Sequence, residues 1–552
     1  MNFLIVVPRF AKKGEFYSFP FGLAYISSYL KSKGFAVFCL NLCQFTEEEQ
    51  IEKILETWIN KNKIDAVMTG GMSCHWEAIN NVIESVKNVK KNIITITGGP
   101  VITSDPFLAM ENMQIDYGVI GEGEITAAEL AETLITKKGV ENIKGIIYRK
   151  DTRLICNKER PPIMDLDSLP IPDYDNFDYD ECIGLMKYSG QEPILENYDI
   201  VRHFSIIGSR SCPFSCTFCY HPLGKTYRQR SLQNIFKEID YLVDRYKINF
   251  IFFSDELFST NIERMLEFAE RMKKYNIKWD AMFRVNTVTK EILDKLKTSG
   301  LYFMVYGVES MSDRILKSMN KKITKKEIEN AFKMTYEAGI ACSGNILLGD
   351  PAETTETIDE SISWWRSNRH YNISLTYIKA IPDSVVYQNA VKNKIIKDKL
   401  KHIKNNFPII NLTKIPDKKF NEIKKEIIKN QEKINFLKLG KLLNTEKLKE
   451  KYNGHHFYNF TVECPLCNKV HEYKRFLKSM NKHLGIFCKS CNSCFTVDQK
   501  KIFYDDFSFW KMFSKIYTTK AYSYLLKNNI IKKDNKFIIL AKNNIKKLLK
   551  IK

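Results

Sequence analysis

Three cysteines fall within the stretch Ile206-Ile207-Gly208-Ser209-Arg210-Ser211-Cys212-Pro213-Phe214-Ser215-Cys216-Thr217-Phe218-Cys219-Tyr220, spaced four and then three apart. Thiolates crowded onto one tight loop suit an iron–sulfur cluster. A cluster of four irons takes four cysteines, so three leave one iron open to a small molecule. A second set, Cys464-Pro465-Leu466-Cys467 and Cys488-Lys489-Ser490-Cys491, makes two Cys-x2-Cys pairs separated as in a tetrahedral zinc site. An auxiliary iron–sulfur cluster is the other occupant these four could take, and Cys494 competes for a pairing with Cys491. Cys39, Cys43, Cys74, Cys156, Cys182 and Cys342 read as ordinary small apolar residues. Fourteen cysteines, eight of them in close spacings, argue metal ligation in a reducing compartment over a disulfide framework.

The elements around the first loop are regular. From His203 to Pro382 strand-like and helical patterns alternate six times, with strands expected at His203–Ile207, Phe250–Ser254, Trp279–Arg284, Tyr302–Gly307, Gly344–Leu348 and Ser374–Ala380. Six βα units predict a partial TIM-like (β/α)6 barrel. Polar residues gather at the strand ends: Asp255 and Glu256, Arg284 and Asn286, Glu309 and Ser310, and Gly349-Asp350-Pro351. In such barrels that rim is where a site is built.

The Cys-x3-Cys-x2-Cys spacing with an aromatic before the last cysteine resembles the signature of the radical S-adenosylmethionine (SAM) superfamily. The resemblance implies that Cys212, Cys216 and Cys219 ligate a 4Fe–4S cluster and that the neighbourhood of Phe218 packs on the adenine of SAM. SAM then chelates the open iron through its amino and carboxylate groups. Asp255 or Glu256 suits the amine, and Arg284 suits the carboxylate through a bidentate contact. Gly307-Val308-Glu309-Ser310 resembles the family's ribose-contacting stretch. Gly349-Asp350-Pro351-Ala352-Glu353-Thr354 resembles a Gly-x-Pro-Gly-Glu-Thr segment, with Ala352 where glycine is usual. One-electron reduction of the cluster would cleave SAM to methionine and a 5′-deoxyadenosyl radical that abstracts hydrogen from carbon.

In residues 1–140 short apolar runs alternate with helical patterns, which predicts a doubly wound, flavodoxin-like parallel sheet. Thr69, Gly70 and Gly71 follow the third strand, Gly98 and Gly99 the fourth, and Gly121 and Glu122 the fifth. Glycine there either lets backbone approach a bulky ligand or makes a turn. The order of these pieces resembles the cobalamin-binding domain that precedes the radical core in one branch of the superfamily. None of the nine histidines has Asp two residues before it, so Asp-x-His-x-x-Gly is missing and no histidine from that motif meets cobalt. Met72–Trp76 is the candidate floor beneath the corrin, with His75 read as a polar loop residue.

Residues 141–200 read as an ordered, proline-rich linker, 201–390 as the radical core, 391–455 as a basic helical segment, 456–500 as a zinc-ribbon-like module and 501–552 as a basic tail. The net charge of +21 belongs to the C-terminal third, where Val391–Lys552 holds 38 Lys and Arg against 13 Asp and Glu. That excess suits nucleic acid or another acidic partner, although Lys- and Asn-rich coding bias gives the same excess. No apolar run reaches the length of a membrane span, and Leu4–Val7 ends at Pro8 and Arg9 without a basic leader, so a cytoplasmic chain is expected.

The leading expectation is a cobalamin-dependent radical SAM enzyme methylating an unactivated carbon and served by an electron donor such as flavodoxin or ferredoxin. The alternatives are a non-methylating cyclase or rearrangement enzyme, a methylthiotransferase acting on tRNA, and a zinc-ribbon nucleic-acid-binding protein with a degenerate barrel. The methylthiotransferase family carries three further cluster cysteines in its N-terminal domain, which Cys39, Cys43 and Cys74 do not obviously replace.

Overall fold

The computed structural model describes residues 1–15, 17–186, 202–431, 439–452, 455–476, 483–491, 494–498 and 502. The expected linker beyond 186, the tail from 503 and the side chain of Cys494 lie outside the described residues.

The first sheet is built from β1 (Asn2–Val7), β2 (Ala36–Asn41), β3 (Ala66–Gly70), β4 (Ile94–Gly98) and β5 (Tyr117–Val119), all parallel in the order β2-β1-β3-β4-β5. Phe3 to Val7 are all fully buried, as a strand covered on both faces requires. Ala24, Leu30, Ala127 and Leu130 of helices Phe21–Ser32 and Gly123–Thr136 cover one face. Leu55, Ile59, Val82 and Val86 of helices Ile51–Lys61 and Trp76–Val89 cover the other. This is the expected doubly wound arrangement.

The sheet runs further than the 1–140 boundary. β6 (Ile146–Lys150) and β7 (Arg153–Cys156) join it antiparallel beyond β5, where an irregular linker was expected. β5 is three residues long and would leave β4 and itself as an open edge, and the apolar Ile146-Ile147-Tyr148 run covers it. The proline signal properly begins at Pro161.

The second sheet holds β8 (His203–Ile206), followed by a short antiparallel pair, β9 (Ser209–Arg210) with β10 (Arg228–Gln229), that brackets the cysteine loop. It continues with β11 (Phe250–Phe253), β12 (Lys278–Phe283), β13 (Leu301–Glu309), β14 (Ala341–Leu348) and β15 (Ile373–Tyr377). β8, β11, β12, β13, β14 and β15 lie side by side in chain order, all parallel. Parallel strands put every C-terminal end on one edge, so the cysteine loop after β8 shares an edge with Asp255, Arg284, Glu309 and Gly349. The crossover helices are capped locally: Ser231 accepts from Asn234 N, and Thr324 with Glu327 forms a capping box.

Helices Lys399–Lys404 and Asp417–Gln431 lie in the basic segment, whose end is not helical. Lys441–Tyr452 is a strand, β16, paired with β17 (His455–Glu463), which pairs with β18 (Val470–Phe476). Pairing against the aromatic, β-branched β17 overrides the helical spacing of lysine and leucine. The module therefore begins before residue 456. β19 (His483–Phe487) and β20 (Cys494–Asp498) complete it. Phe487 packs edge-on against Phe303, ring centroids 5.7 Å apart, near the start of β13. The module thus docks at the sheet edge opposite the cysteine loop. Among the described residues no helix is long and apolar enough to cross a membrane.

Candidate functional site

The cysteine loop leaves β8 at Gly208, where Asp255 Oδ1 accepts from Gly208 N at 2.6 Å and Ser209 N at 3.0 Å. Asp255 is buried, and burial pushes its carboxyl up to about 6 against those two hydrogen bonds. Its neighbour Glu256 points to the other side, with Oε2 3.4 Å from His221 Nδ1 and its charge felt at Cys212. The two carboxylates that the sequence left as equals are therefore distinct: one is consumed by backbone, the other faces the loop.

The loop itself is packed with charge. Ser211 adopts left-handed φ of 66° just before Cys212. The hydrogen bond from Cys219 draws the Cys216 thiol down to about 6, helped by Lys321 and Arg284, and pushes the Cys219 thiol up. Burial raises Cys212. The guanidinium of Arg284 lies 3.7 Å over the Phe214 ring and donates to the carbonyls of Lys321 and Lys322. Three thiols of this kind, one held toward thiolate beside two cations, are a donor set fit for a cluster.

Lys321 is a residue that sequence reading missed. Its side chain is mostly covered, and its Nζ lies 2.6 Å from Glu309 Oε1. Gly307 makes room for it: a Cβ there would sit 2.5 Å from that Nζ. No short motif marks Lys321, because its partner lies twelve residues upstream. His221 was also missed; neither ring nitrogen has a hydrogen-bond partner and the side chain is buried.

Other expected residues fall on the same edge with different contacts. Ser310 Oγ is turned inward, near Ser361 Oγ and the Ser312 amide. Gly349 has φ of 99°, closed to ordinary side chains, and its amide donates to Glu353. Burial pushes Glu353 up to about 8. Phe218 packs against the cluster of Ile315, Met319, Ile378 and Val386.

In the first domain the glycines pack tightly at their strand ends. A Cβ on Gly70 would meet Gly98 O at 2.4 Å, while Gly121, at φ 75°, has open space where a side chain would be. Thr69 Oγ1 donates to Val6 O at 2.9 Å, and the buried Thr97 hydroxyl has no partner. His75 stacks on Phe10 with ring centroids 4.2 Å apart, and burial lowers its pKa. Gly70 and Gly99 are closed by the backbone of Gly98 and Gly71, so the open face of Gly121 and the unpartnered Thr97 hydroxyl are the features that fit a ligand.

The two domains touch at these loops. Arg210, two residues before Cys212, reaches Glu122 at 2.7 Å and Glu124 at 2.6 Å, and Arg228 reaches Glu122 at 2.7 Å, all four side chains buried. Tyr220, directly after Cys219, shares a 3.1 Å hydrogen bond with Ser104 Oγ.

The superfamily pattern of radical SAM proteins matches residues 206–364, and that of the B12 binding domain matches residues 11–131. A protein of Pyrococcus horikoshii named uncharacterized methyltransferase PH0819 is 30% identical over 383 residues, 68% of this chain and 79% of that protein. The chain belongs to the radical SAM family that carries a cobalamin-binding domain. It is a radical SAM enzyme, and membership brings a 4Fe–4S cluster, SAM and cobalamin as cofactors. The anaerobic magnesium-protoporphyrin IX monomethyl ester cyclase of Rubrivivax gelatinosus is 25% identical, over 62% of this chain and 61% of its own length. Among solved structures, the radical SAM methyltransferase TsrM from Kitasatospora setae matches in fold with a TM-score of 0.58 at 16% identity, covering 71% of this chain and 77% of its own.

The second cysteine set converges. Cys464 Sγ lies 3.8 Å from Cys491 Sγ, Cys467 Sγ lies 3.5 Å from Cys488 Sγ, and all four sulfurs lie within 4.8 Å of one another. A tetrahedron of sulfurs with metal bonds of about 2.3 Å has edges of about 3.8 Å. The 3.8 Å and 3.5 Å separations lie close to that edge, and the other pairs lie within 4.8 Å.

Proposed function

We propose that this enzyme methylates an unactivated carbon. The observation that carries the reading is the meeting of the strand-end loops of the first domain with both ends of the cysteine loop, through Glu122–Arg210 and Ser104–Tyr220. Loops that meet in this way bring the two cofactor sites side by side, which a transfer between them needs. When bound, the cluster and cobalamin supply the electron that cleaves SAM and the carrier for its methyl group.

The chain's own residues divide the remaining work. Cys212, Cys216 and Cys219 hold the cluster. Glu256 takes the SAM amine, because Asp255 already accepts two backbone N–H groups. Arg284 keeps Phe214 and the loop in place, and because Nε and Nη2 already donate to Asn286 and to the Lys321 and Lys322 carbonyls it offers Nη1 alone to the SAM carboxylate, in place of the expected bidentate contact. Glu309 is held at the ribose position by Lys321, and Gly349 lets backbone approach the nucleoside. Gly70, Gly71, Gly98, Gly99 and Gly121 form the cobalamin cradle, while Glu122 serves the interface. The parallel second sheet curls as a partial (β/α)6 barrel whose mouth the first domain covers, which excludes water.

The division of the chain is a cobalamin unit of 1–140 extended by the hairpin to Cys156, a radical core of 201–390, and a zinc-ribbon-like module that starts with the strand at 441. Zinc is its metal, because the module sits at the edge of the sheet farthest from SAM, where an auxiliary cluster would serve no step. The basic C-terminal third meets an acidic partner.

The kinship with the Rubrivivax cyclase favours a second reading, cyclisation without methyl transfer. The test is the enzyme purified anaerobically, with and without added cobalamin, reduced and given SAM. Methyl transfer expects S-adenosylhomocysteine in the cobalamin-loaded sample and none in the other. Formation of 5′-deoxyadenosine in both samples with no S-adenosylhomocysteine sinks methylation and favours cyclisation.

A further inference from the structure

The cysteine loop is tied to the first domain at both of its ends, and neither tie touches a thiol. Upstream, Arg210 donates to Glu122 Oε1 and Glu124 Oε1, and its guanidinium lies 5.2 Å from the centre of the Tyr25 ring. Arg228, across the β9–β10 pair from Arg210, donates to Glu122 Oε2, to the Ile163 carbonyl and to Ser211 Oγ at 3.3 Å. Glu122 Oε2 also accepts from Ile163 N at 2.6 Å. Downstream, Tyr220 is bonded to Ser104, which follows Gly99 and Pro100 by one helical turn. One tie thus comes from the loop after β5 and the other from the loop after β4.

Two of these acids belong to the Gly121-Glu122-Gly123-Glu124 run, whose glycines look like ligand contacts by sequence. Their carboxylates are instead filled by Arg210 and Arg228 of the other domain, with the Ile163 amide of the linker added at Glu122. Buried guanidinium–carboxylate pairs have narrow geometry, so they fix a distance and an angle better than apolar contact does. We infer that Glu122, Glu124, Arg210 and Tyr220 are positioning residues that set the placement of the cluster loop against the first domain. The inference rests on the reading that Cys212, Cys216 and Cys219 hold the cluster and that the first domain holds cobalamin.

The test uses the full chain, reconstituted anaerobically with iron, sulfide and cob(II)alamin, in three variants: Glu122→Gln with Glu124→Gln, Arg210→Lys, and Tyr220→Phe. Iron and cobalt contents are measured first, then the magnetic interaction between the reduced cluster and cob(II)alamin by electron paramagnetic resonance, then, with a chemical reductant that reduces both the cluster and cob(II)alamin, the nucleoside products formed from added SAM. The expected result is wild-type iron and cobalt with a weakened or broadened magnetic interaction. S-adenosylhomocysteine should fall by up to about 10²-fold while 5′-deoxyadenosine changes less, the signature of a small misplacement. Arg210→Lys, which keeps the charge but loses the fork, should fall between wild type and the glutamine variant. The cofactor-free chains give an independent readout, a single thermal transition in wild type that splits in the glutamine variant. If that variant fails to fold, Tyr220→Phe removes one hydroxyl and carries the same test at the other end of the loop.

Full metal contents with an unchanged magnetic interaction and product ratio would overturn the positioning role. Loss of cobalt alone from the glutamine variant would also overturn it, since Glu122 would then be a cofactor ligand. A wild-type chain that binds neither iron nor cobalt sinks the underlying reading, an outcome distinct from either of these.

Discussion

Lys321 Nζ lies 2.6 Å from Glu309 Oε1, the two side chains are only 11% and 10% exposed, and Glu309 adopts φ of 65° at the end of β13. This pair stands beside Cys216 and Cys219 and brings a cation to the loop proposed to hold the cluster. Lys321→Met leaves a buried carboxylate alone and should cost about 3–5 kcal/mol, read as a drop in denaturant midpoint. Adding Glu309→Gln should restore most of that stability without restoring cluster retention. If the double variant holds iron as wild type does, the cation has no role at the loop.

Replacing Cys212, Cys216 and Cys219 together with alanine should abolish cluster absorbance and the formation of 5′-deoxyadenosine. Zinc content should stay at the wild-type level, because Cys464, Cys467, Cys488 and Cys491 lie at the other edge of the sheet. A triple variant that still cleaves SAM refutes the ligand assignment.

The four module cysteines should bind a single zinc with sulfur distances of about 2.3 Å by X-ray absorption. Cys464→Ser with Cys488→Ser should remove that metal and expose Phe460 and Tyr473, the buried stacked pair of β17 and β18, to solvent. The readout is the loss of zinc together with altered tyrosine fluorescence. Iron and sulfide in place of zinc, in protein made with both metals available, would mean an auxiliary cluster.

Glu353 sets a pH dependence. Its folded pKa of about 8 exceeds its ordinary value of 4.5, so between these two the folded chain binds a proton that the unfolded chain has released. Stability from this group is therefore full below about 4.5 and is lost as pH rises through about 8. Glu353→Gln should flatten that decline, seen as a stability difference between variant and wild type that shifts in the variant's favour as pH rises. Parallel pH profiles would show that the carboxyl is ionised throughout.

The chemistry was legible where spacing carries it. Cys212, Cys216 and Cys219 sit on a loop whose identity needs no tertiary knowledge, and the two Cys-x2-Cys pairs met as their separation implied. Strand order followed from the alternation of apolar runs and helices, since β1 and β3 are apolar on both faces. Asp255 and Glu256 could not be told apart, because adjacent side chains on a strand end point to opposite sides and only the fold says which side is backbone. Glu122 carried a ligand-like glycine context, yet its partners Arg210 and Arg228 lie about a hundred residues downstream. Lys321 had no local signature at all. The strand at Lys441–Tyr452 was hidden by lysine and leucine spacing that suits a helix until β17 is placed beside it.

The docking of Phe487 on Phe303 has a consequence for whatever the basic module grips. Six residue steps along β13 lead from Phe303 to Glu309, a rise of about 20 Å. A macromolecule held there would be anchored at the back of the sheet while its reacting group had to travel round to the front. The module would then work as a tether, raising the effective concentration of a long or flexible substrate without reading the atom that reacts.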